Sequence, residues 1–208
     1  DGGFIKMADG RGRLLKLVSY GGYLYIFRER GISRLTANGS QADFYLTHLF
    51  VSSGKILEDT ITLCGDRIIF VATDGVYAFD GSNTVRILED LGDLLIKNSG
   101  AVGCFFNGKY YLSCKTDFFD SRYDDGEFLS NMLFAYDINS GEYEIFRGLD
   151  VCDLVSVVGG EFNTLVVLAS DNFYCFTDTP NEFFSGYKSG LYNFGDPKRI
   201  KTVRKISA

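Results

Sequence analysis

The chain has 208 residues, with 46% hydrophobic and 23% charged side chains, 24 Gly, 2 Pro, 19 Phe and 13 Tyr but no Trp. That balance excludes a disordered chain, and no apolar run approaches the about 18 residues of a membrane-spanning helix. With 27 acidic against 21 basic residues the formal net charge is −6, so a surface built to track a phosphate backbone is not expected.

The chain opens on Asp1-Gly2-Gly3, without an initiating Met or a signal-peptide pattern. This reads as a fragment of a longer protein, or a processed one. Residues 4–7 predict a short strand. Four units then follow one grammar: an apolar strand, a Gly turn, a second apolar strand, a short turn, and a third strand closed by a polar turn.

The first unit, about 14–50, predicts strands at 14–20, 23–27 and 31–35 around Gly21-Gly22, with a fourth at 44–50. The second, 60–88, predicts strands at 60–63, 67–72, 76–79 and 84–88 around Gly65-Asp66, Asp74-Gly75 and Asp80-Gly81. Leu88, Leu91 and Leu95 suggest at most one helical turn before the third unit. That unit, 101–147, predicts strands at 101–106, 109–114, 132–138 and 143–147, with Asn107-Gly108 as its first turn. The fourth, 154–194, predicts strands at 154–158, 164–169 and 173–176, and a fourth within 183–194. Gly21-Gly22, Asp74-Gly75 and Asn107-Gly108 are two-residue hairpin signals, in which both central residues take positive φ.

The first-turn glycines are Gly22, Gly65, Gly108 and Gly160, at spacings of 43, 43 and 52 residues. The longer third spacing is explained by an insertion at 116–130. The middle strands Ile68-Ile69-Phe70-Val71-Ala72 and Leu165-Val166-Val167-Leu168-Ala169 are continuously apolar, the pattern of strands buried on both faces. A repeated four-stranded antiparallel meander of about 40 to 45 residues is the signature of an all-β fold of the β-propeller kind. The whole chain, 1–208, then forms one domain. Five blades are preferred, with residues 4–7 and 199–206 pairing to complete one, and four blades come next, because an unclosed ring leaves a face and an edge uncovered.

The strand and turn motifs also carry a resemblance. Leu24-Tyr25-Ile26-Phe27-Arg28-Glu29-Arg30-Gly31-Ile32, then Ala72-Thr73-Asp74-Gly75-Val76-Tyr77-Ala78-Phe79-Asp80-Gly81, then Tyr187-Lys188-Ser189-Gly190-Leu191-Tyr192-Asn193-Phe194-Gly195 resemble propeller-like domains of phage and prophage structural proteins of the tail or neck. The resemblance implies a non-enzymatic structural or interaction domain of a virion, assembled in the cytoplasm of a bacterial host. It implies contacts with other virion proteins or with neighbouring domains of the same chain. The sequence departs from that pattern where Tyr or Phe stands at the usual Trp positions, and in the 116–130 insertion.

That insertion is the most acidic stretch, with Asp117, Asp120, Asp124, Asp125 and Glu127 interleaved with Phe118, Phe119, Tyr123 and Phe128. A solvated loop, a Ca²⁺ site and a partner-binding loop are the three readings. The spacing is wrong for an EF-hand, and exposed aromatics among acids favour a partner over calcium. No metal or cofactor site is expected elsewhere. His48, the only histidine, reads as a plain strand residue, because no Gly-x-Ser-x-Gly elbow accompanies it. Asp74, Asp80, Asp137 and Asp171 fall at turns and strand ends, where Asp is structural. The five cysteines, Cys64, Cys104, Cys114, Cys152 and Cys175, show no metal spacing. Four of them sit in apolar runs, so they read as packed, reduced thiols. Lys198, Arg199, Lys201, Arg204 and Lys205 form a basic C-terminal run that reads as a polar strand face or linker in preference to a nucleic-acid contact. Two alternatives stand beside the virion reading: a carbohydrate- or host-surface-binding propeller, and a propeller hydrolase or lyase using carboxylates in the central channel.

Overall fold

Glycine turns at the predicted spacing divide the chain into four antiparallel sheets, in a computed structural model that describes residues 6–7, 9–37, 39, 44–91, 95–96, 100–116, 132–146, 149–159, 162–170 and 172–176. All of these belong to the unit Asp1–Phe176, and the second unit is Thr177–Ala208. The predicted strands at 183–194 and 199–206, and the start of the one at 4–7, lie outside the described residues. So does the basic run from Lys198 to Lys205.

Sheet 1 runs β1 (Leu14–Tyr20), β2 (Tyr23–Arg28), β3 (Gly31–Ala37) and β4 (Phe44–Val51) in that order. Sheet 2 runs β5 (Thr62–Cys64), β6 (Arg67–Ala72), β7 (Gly75–Phe79) and β8 (Thr84–Ile87). A short β9 (Leu95–Ile96) then pairs with the end of β11 in sheet 3, which runs β10 (Val102–Phe106), β11 (Lys109–Thr116), β12 (Met132–Asp137) and β13 (Tyr143–Phe146). Sheet 4 has three described strands, β14 (Val151–Gly159), β15 (Phe162–Ala169) and β16 (Phe173–Cys175). Every described strand pairing is antiparallel, and all but that of β9 with β11 join chain neighbours.

Turn chemistry fixes these registers. Gly21 and Gly22 (φ 56° and 80°) and Asn107 and Gly108 (φ 46° and 78°) take the left-handed conformations a two-residue hairpin needs. Asp80 and Asp137 cap equivalent turns after β7 and β12. The Asp80 Oδ1 accepts from the Ser82 and Asn83 amides, and the Asp137 Oδ1 from the Asn139 and Ser140 amides. Those backbone bonds hold both carboxyls below the usual carboxylate range.

The sheets pack face to face in chain order. Tyr25, Phe27 and Ile32 of sheet 1 meet Ile68, Phe70, Ala72 and Phe79 of sheet 2. The opposite face of sheet 2, with Ile69, Val71, Val76 and Ala78, meets Tyr110, Leu112, Cys114 and Phe134 of sheet 3. The other face of sheet 3, with Tyr111, Leu133 and Ala135, meets Val151, Leu154, Leu165 and Val167 of sheet 4. Alternate residues of β6 therefore serve two interfaces, and Ile68 to Ala72 are all fully buried. Phe70 lies 5.5 Å from the rings of both Phe27 and Tyr77 and 5.9 Å from Phe50, the offset and edge-on geometry aromatic pairs favour.

Polar seams run beside these apolar contacts. The Tyr25 hydroxyl donates to the Gly81 carbonyl at 3.2 Å, the Lys16 ammonium to the Ile61 carbonyl at 2.8 Å, and the Thr62 hydroxyl to the Gly103 carbonyl at 3.1 Å. The first strands of successive sheets thus lie beside one another, β1 near the start of β5, β5 beside β10, and β10 beside β14.

Three expectations need correction. Thr60 does not start a strand: Glu58–Thr60 is a 3-10 turn, and β5 begins at Thr62. The buried Thr60 hydroxyl donates to the Leu57 carbonyl and accepts from the Val71 amide, taking the place of a ladder partner. Asp74-Gly75 is not the hairpin turn; Thr73 and Asp74 form it, and Gly75 already belongs to β7, paired with Ala72. A Cβ at Gly75 would stand 2.4 Å from the Arg86 Nε, so what glycine spares there is a close approach by a flexible side chain, not a left-handed φ. Between sheets 2 and 3 the described residues hold one short helical turn, Glu89–Leu91, as the leucine spacing allowed, and Leu95 enters β9. Cys175, read as packed, is exposed on β16, as is Cys152 on β14, while Cys64, Cys104 and Cys114 are buried. Burial pushes the Cys64 thiol up to about 12, so it is inert at neutral pH.

Candidate functional site

The strands give the molecule two chemically different ends. At one end lie the tight hairpins Gly21-Gly22, Gly65-Asp66 and Asn107-Gly108. At the other, here the connection end, the first strands of the sheets begin, the second strands finish, and the chain passes from one sheet to the next. Leu57 N–H donates to the Val71 carbonyl and Thr73 N–H to the Lys55 carbonyl, tying the first inter-sheet connection down against β6.

A cleft of about 240 Å³ opens at the connection end between sheets 1 and 2 and the start of sheet 3. Arg13, Lys55, Glu58, Asp59, Thr73 and Ala101 are among its lining residues. Its charges are organised around Glu29 in the β2–β3 turn. Glu29 Oε1 lies 3.2 Å from both the Lys55 Nζ and the Arg13 Nε, and Arg13 also faces Glu58 at 3.6 Å. The hydrogen bond from Lys55, with help from Arg13 and against a smaller effect of burial, holds the Glu29 carboxyl below its ordinary value. A glycine makes room for the carboxylate, since a Cβ at Gly12 would come within 2.3 Å of Glu29 Oε2. Glu29 is therefore an ionised group matched to cations, unlike a protonated acid poised to donate.

The second polar cluster covers the outer side of sheet 1. The buried Arg28 guanidinium donates through Nε and Nη2 to the Gly12 carbonyl, at 3.1 and 2.8 Å, and through Nη1 to the Asp9 carboxylate. Arg11 donates to the same carboxylate. Burial works to raise the Asp9 pKa, but the bonds from Arg28 and Arg11 outweigh it and hold the carboxyl well below the usual range.

His48 belongs to this cluster and is more than a plain strand residue. Its Nδ1 lies 2.9 Å from the Ser33 Oγ, its cross-strand partner, and its Nε2 lies 3.6 Å from the Asp9 Oδ2. The residue types are those of a nucleophilic triad, but their placement is not. Ser33 is fully buried, so its hydroxyl faces no substrate, and the Asp9 carboxylate is committed to two arginines. The arrangement fastens residues 9–13 across sheet 1, where the Glu29 and Arg30 amides also donate to the Arg13 and Arg11 carbonyls.

The acidic and aromatic residues singled out in the sequence, Asp117, Phe118, Phe119, Asp120, Tyr123, Asp124, Asp125, Glu127 and Phe128, lie outside the described residues. Their anchors are described: β11 finishes at Thr116 and β12 begins at Met132, and this connection replaces the two-residue turn Thr73-Asp74 of sheet 2. The insertion therefore leaves and rejoins the fold at the connection end, where the cleft lies. The order of the strands in the sequence already held that information. The Arg13, Glu29, Lys55 and Glu58 network was missed, and its signal was the charged Arg28-Glu29-Arg30 run at a turn whose equivalents in sequence are Thr73-Asp74 and Ser170-Asp171-Asn172. Among the described residues no three His, Cys, Asp or Glu side chains converge on a metal-sized site, and no helix is long and apolar enough to cross a membrane.

No protein-family model and no curated protein matches the chain. Among solved structures it is similar to the extracellular domain of a protein of B. thetaiotaomicron described as a one-component system, at 14% identity and a TM-score of 0.38. That match covers 85% of this chain and 28% of the other.

Proposed function

We propose that the four sheets are blades of a β-propeller, five-bladed in preference to four, and that the domain is a non-enzymatic interaction module whose partner binds at the connection end. The blade reading is supported by sheets stacked in chain order with their first strands side by side. It is supported too by β15, whose continuous apolar run calls for a neighbour on both faces. Closure by residues 4–7 and 199–206 is the arrangement that supplies one.

A single observation carries the interaction reading. The one long connection between second and third strands, rich in exposed-type aromatics and acids by sequence, is rooted at the same end as the charged cleft. Partner-binding residues concentrate on such loops because a rigid scaffold positions them at little entropic cost to itself. The proposed partner is a protein of a phage-type virion, a reading that rests on the sequence resemblance, and the products of structural genes adjacent to this one are the first to test. Replacing residues 117–130 by a two-residue Asp-Gly turn preserves the β11–β12 ladder and removes the proposed contact. Isothermal titration against those gene products should show binding by the intact chain and at least about tenfold weaker binding by the replacement, a loss of about 1.4 kcal/mol. Unchanged affinity in a folded replacement would refute the assignment of the loop. Absence of binding by the intact chain to every such product would remove the virion partner.

A further inference from the structure

The last strands of the sheets differ in a way the repeat does not require. β8 and β13 are four residues long, and each carries a charge that is tied down: Arg86 bonds the Asp74 carbonyl, and Glu144 pairs with Lys109 at 2.9 Å. Short strands and charges are how sheet edges are kept from pairing with other chains. β4 has neither device. It runs for eight residues, Phe44–Val51, contains no Asp, Glu, Lys or Arg, and among the described residues pairs with β3 alone. Phe44 and Tyr45 are 43% and 60% exposed.

We infer that β4 is a strand-addition edge for a second copy of this chain, pairing antiparallel with its counterpart across a two-fold axis. The structure sets which part of the edge is regular, and the proposed register is centred on it. The ladder with β3 passes from Ile32↔Phe50 to Ser33↔His48, leaving Leu49 as a bulge, so the regular part of the edge is residues 44–48. Centring that part on itself puts Leu46 opposite the second copy's Leu46, Tyr45 opposite Thr47, and Phe44 opposite His48. Aromatic residues then face β-branched or aromatic ones, the pairs that stabilise antiparallel ladders. Charge favours the same edge: two chains of net charge −6 repel, and this strand carries no carboxylate of its own, the Asp9 carboxylate beside His48 being matched by Arg28 and Arg11. A two-fold contact uses one patch twice and closes, so it yields dimers, not filaments.

Sedimentation velocity over about 1 µM to 1 mM, the range of modest affinities, should show a monomer–dimer equilibrium that Tyr45→Lys shifts at least about tenfold toward monomer. Val85→Lys, on the edge strand β8, should leave it unchanged. Leu46→Cys gives a second readout, in a chain whose exposed Cys152 and Cys175 are changed to Ser. The position on the axis should cross-link into a disulfide dimer under mild oxidation, and Val85→Cys should not. A wild-type chain monomeric throughout that range overturns the inference. So does a Leu46→Cys chain that stays uncross-linked, which would mean that some other segment occupies the edge.

Discussion

Sheets 2 and 3 are enclosed on both faces, whereas sheets 1 and 4 each present one face that no described residue of another sheet covers. The contrast is sharpest between β6 and β15. Both are continuously apolar in sequence, yet Ile68 to Ala72 are all 0% exposed, while in β15 only Leu165, Val167 and Ala169 are buried and Val166 and Leu168 are half-buried. Beside β15, Val155 is 50% exposed. The same residue pattern therefore marks two energetic situations. An apolar strand expresses a demand for neighbours, and burial depends on which sheets are there to meet it.

The strongest way to break this contrast is truncation of a ring shared by sheets 1 and 2. Phe70→Ala empties a site lined by Phe27, Phe50 and Tyr77 and should cost about 3 to 5 kcal/mol in urea unfolding. Val155→Ala, on the outward side of sheet 4, should cost less than about 1 kcal/mol. Equal costs would mean that the face bearing Val155 is as enclosed as the inner sheets. A smaller effect tests the polar seam between sheets 2 and 3. The Tyr110 hydroxyl, wholly buried, donates to the Thr60 carbonyl at 2.9 Å, and burial raises its pKa well above that of a free phenol. Tyr110→Phe keeps the ring and removes the donor to the Thr60 carbonyl, whose other neighbour, the Thr62 hydroxyl at 3.3 Å, has a single proton shared with the nearer Gly103 carbonyl at 3.1 Å. A loss of about 1 to 2 kcal/mol is expected, and none if the seam merely accompanies the apolar packing.

Most of the strands were legible because two local signals, apolar runs and glycine turns, agreed at each boundary. Pairing was legible because, β9 apart, every sheet is a meander of chain neighbours. What was not legible depends on side chains reaching between sheets. Thr60 has no local reason to leave the strand; it does so because Val71, Leu57 and Tyr110 use its polar atoms. His48 could not be assigned from sequence because its partners Ser33 and Asp9 lie 15 and 39 residues away. The Glu29 network joins residues 13, 29, 55 and 58 for the same reason.

Gly75 shows the difference between local and distant causes on the smallest scale. Gly108 and Gly75 both follow a turn residue in sequence, and both read as hairpin glycines. Gly108 has φ 78° and nothing within 4 Å of where a Cβ would stand, so its requirement is conformational. Gly108→Ala should cost about 1 kcal/mol in any background. At Gly75 the backbone tolerates a side chain and the obstacle is the guanidinium of Arg86, an exposed group on the neighbouring strand. Gly75→Ala should therefore cost a few tenths of a kcal/mol at most, because that flexible end can swing aside. With Arg86→Ala also present the sign should reverse, since alanine restricts the unfolded chain more than glycine does. A cost at Gly75 that persists without the arginine would place its cause in the turn after all, and would restore the local reading.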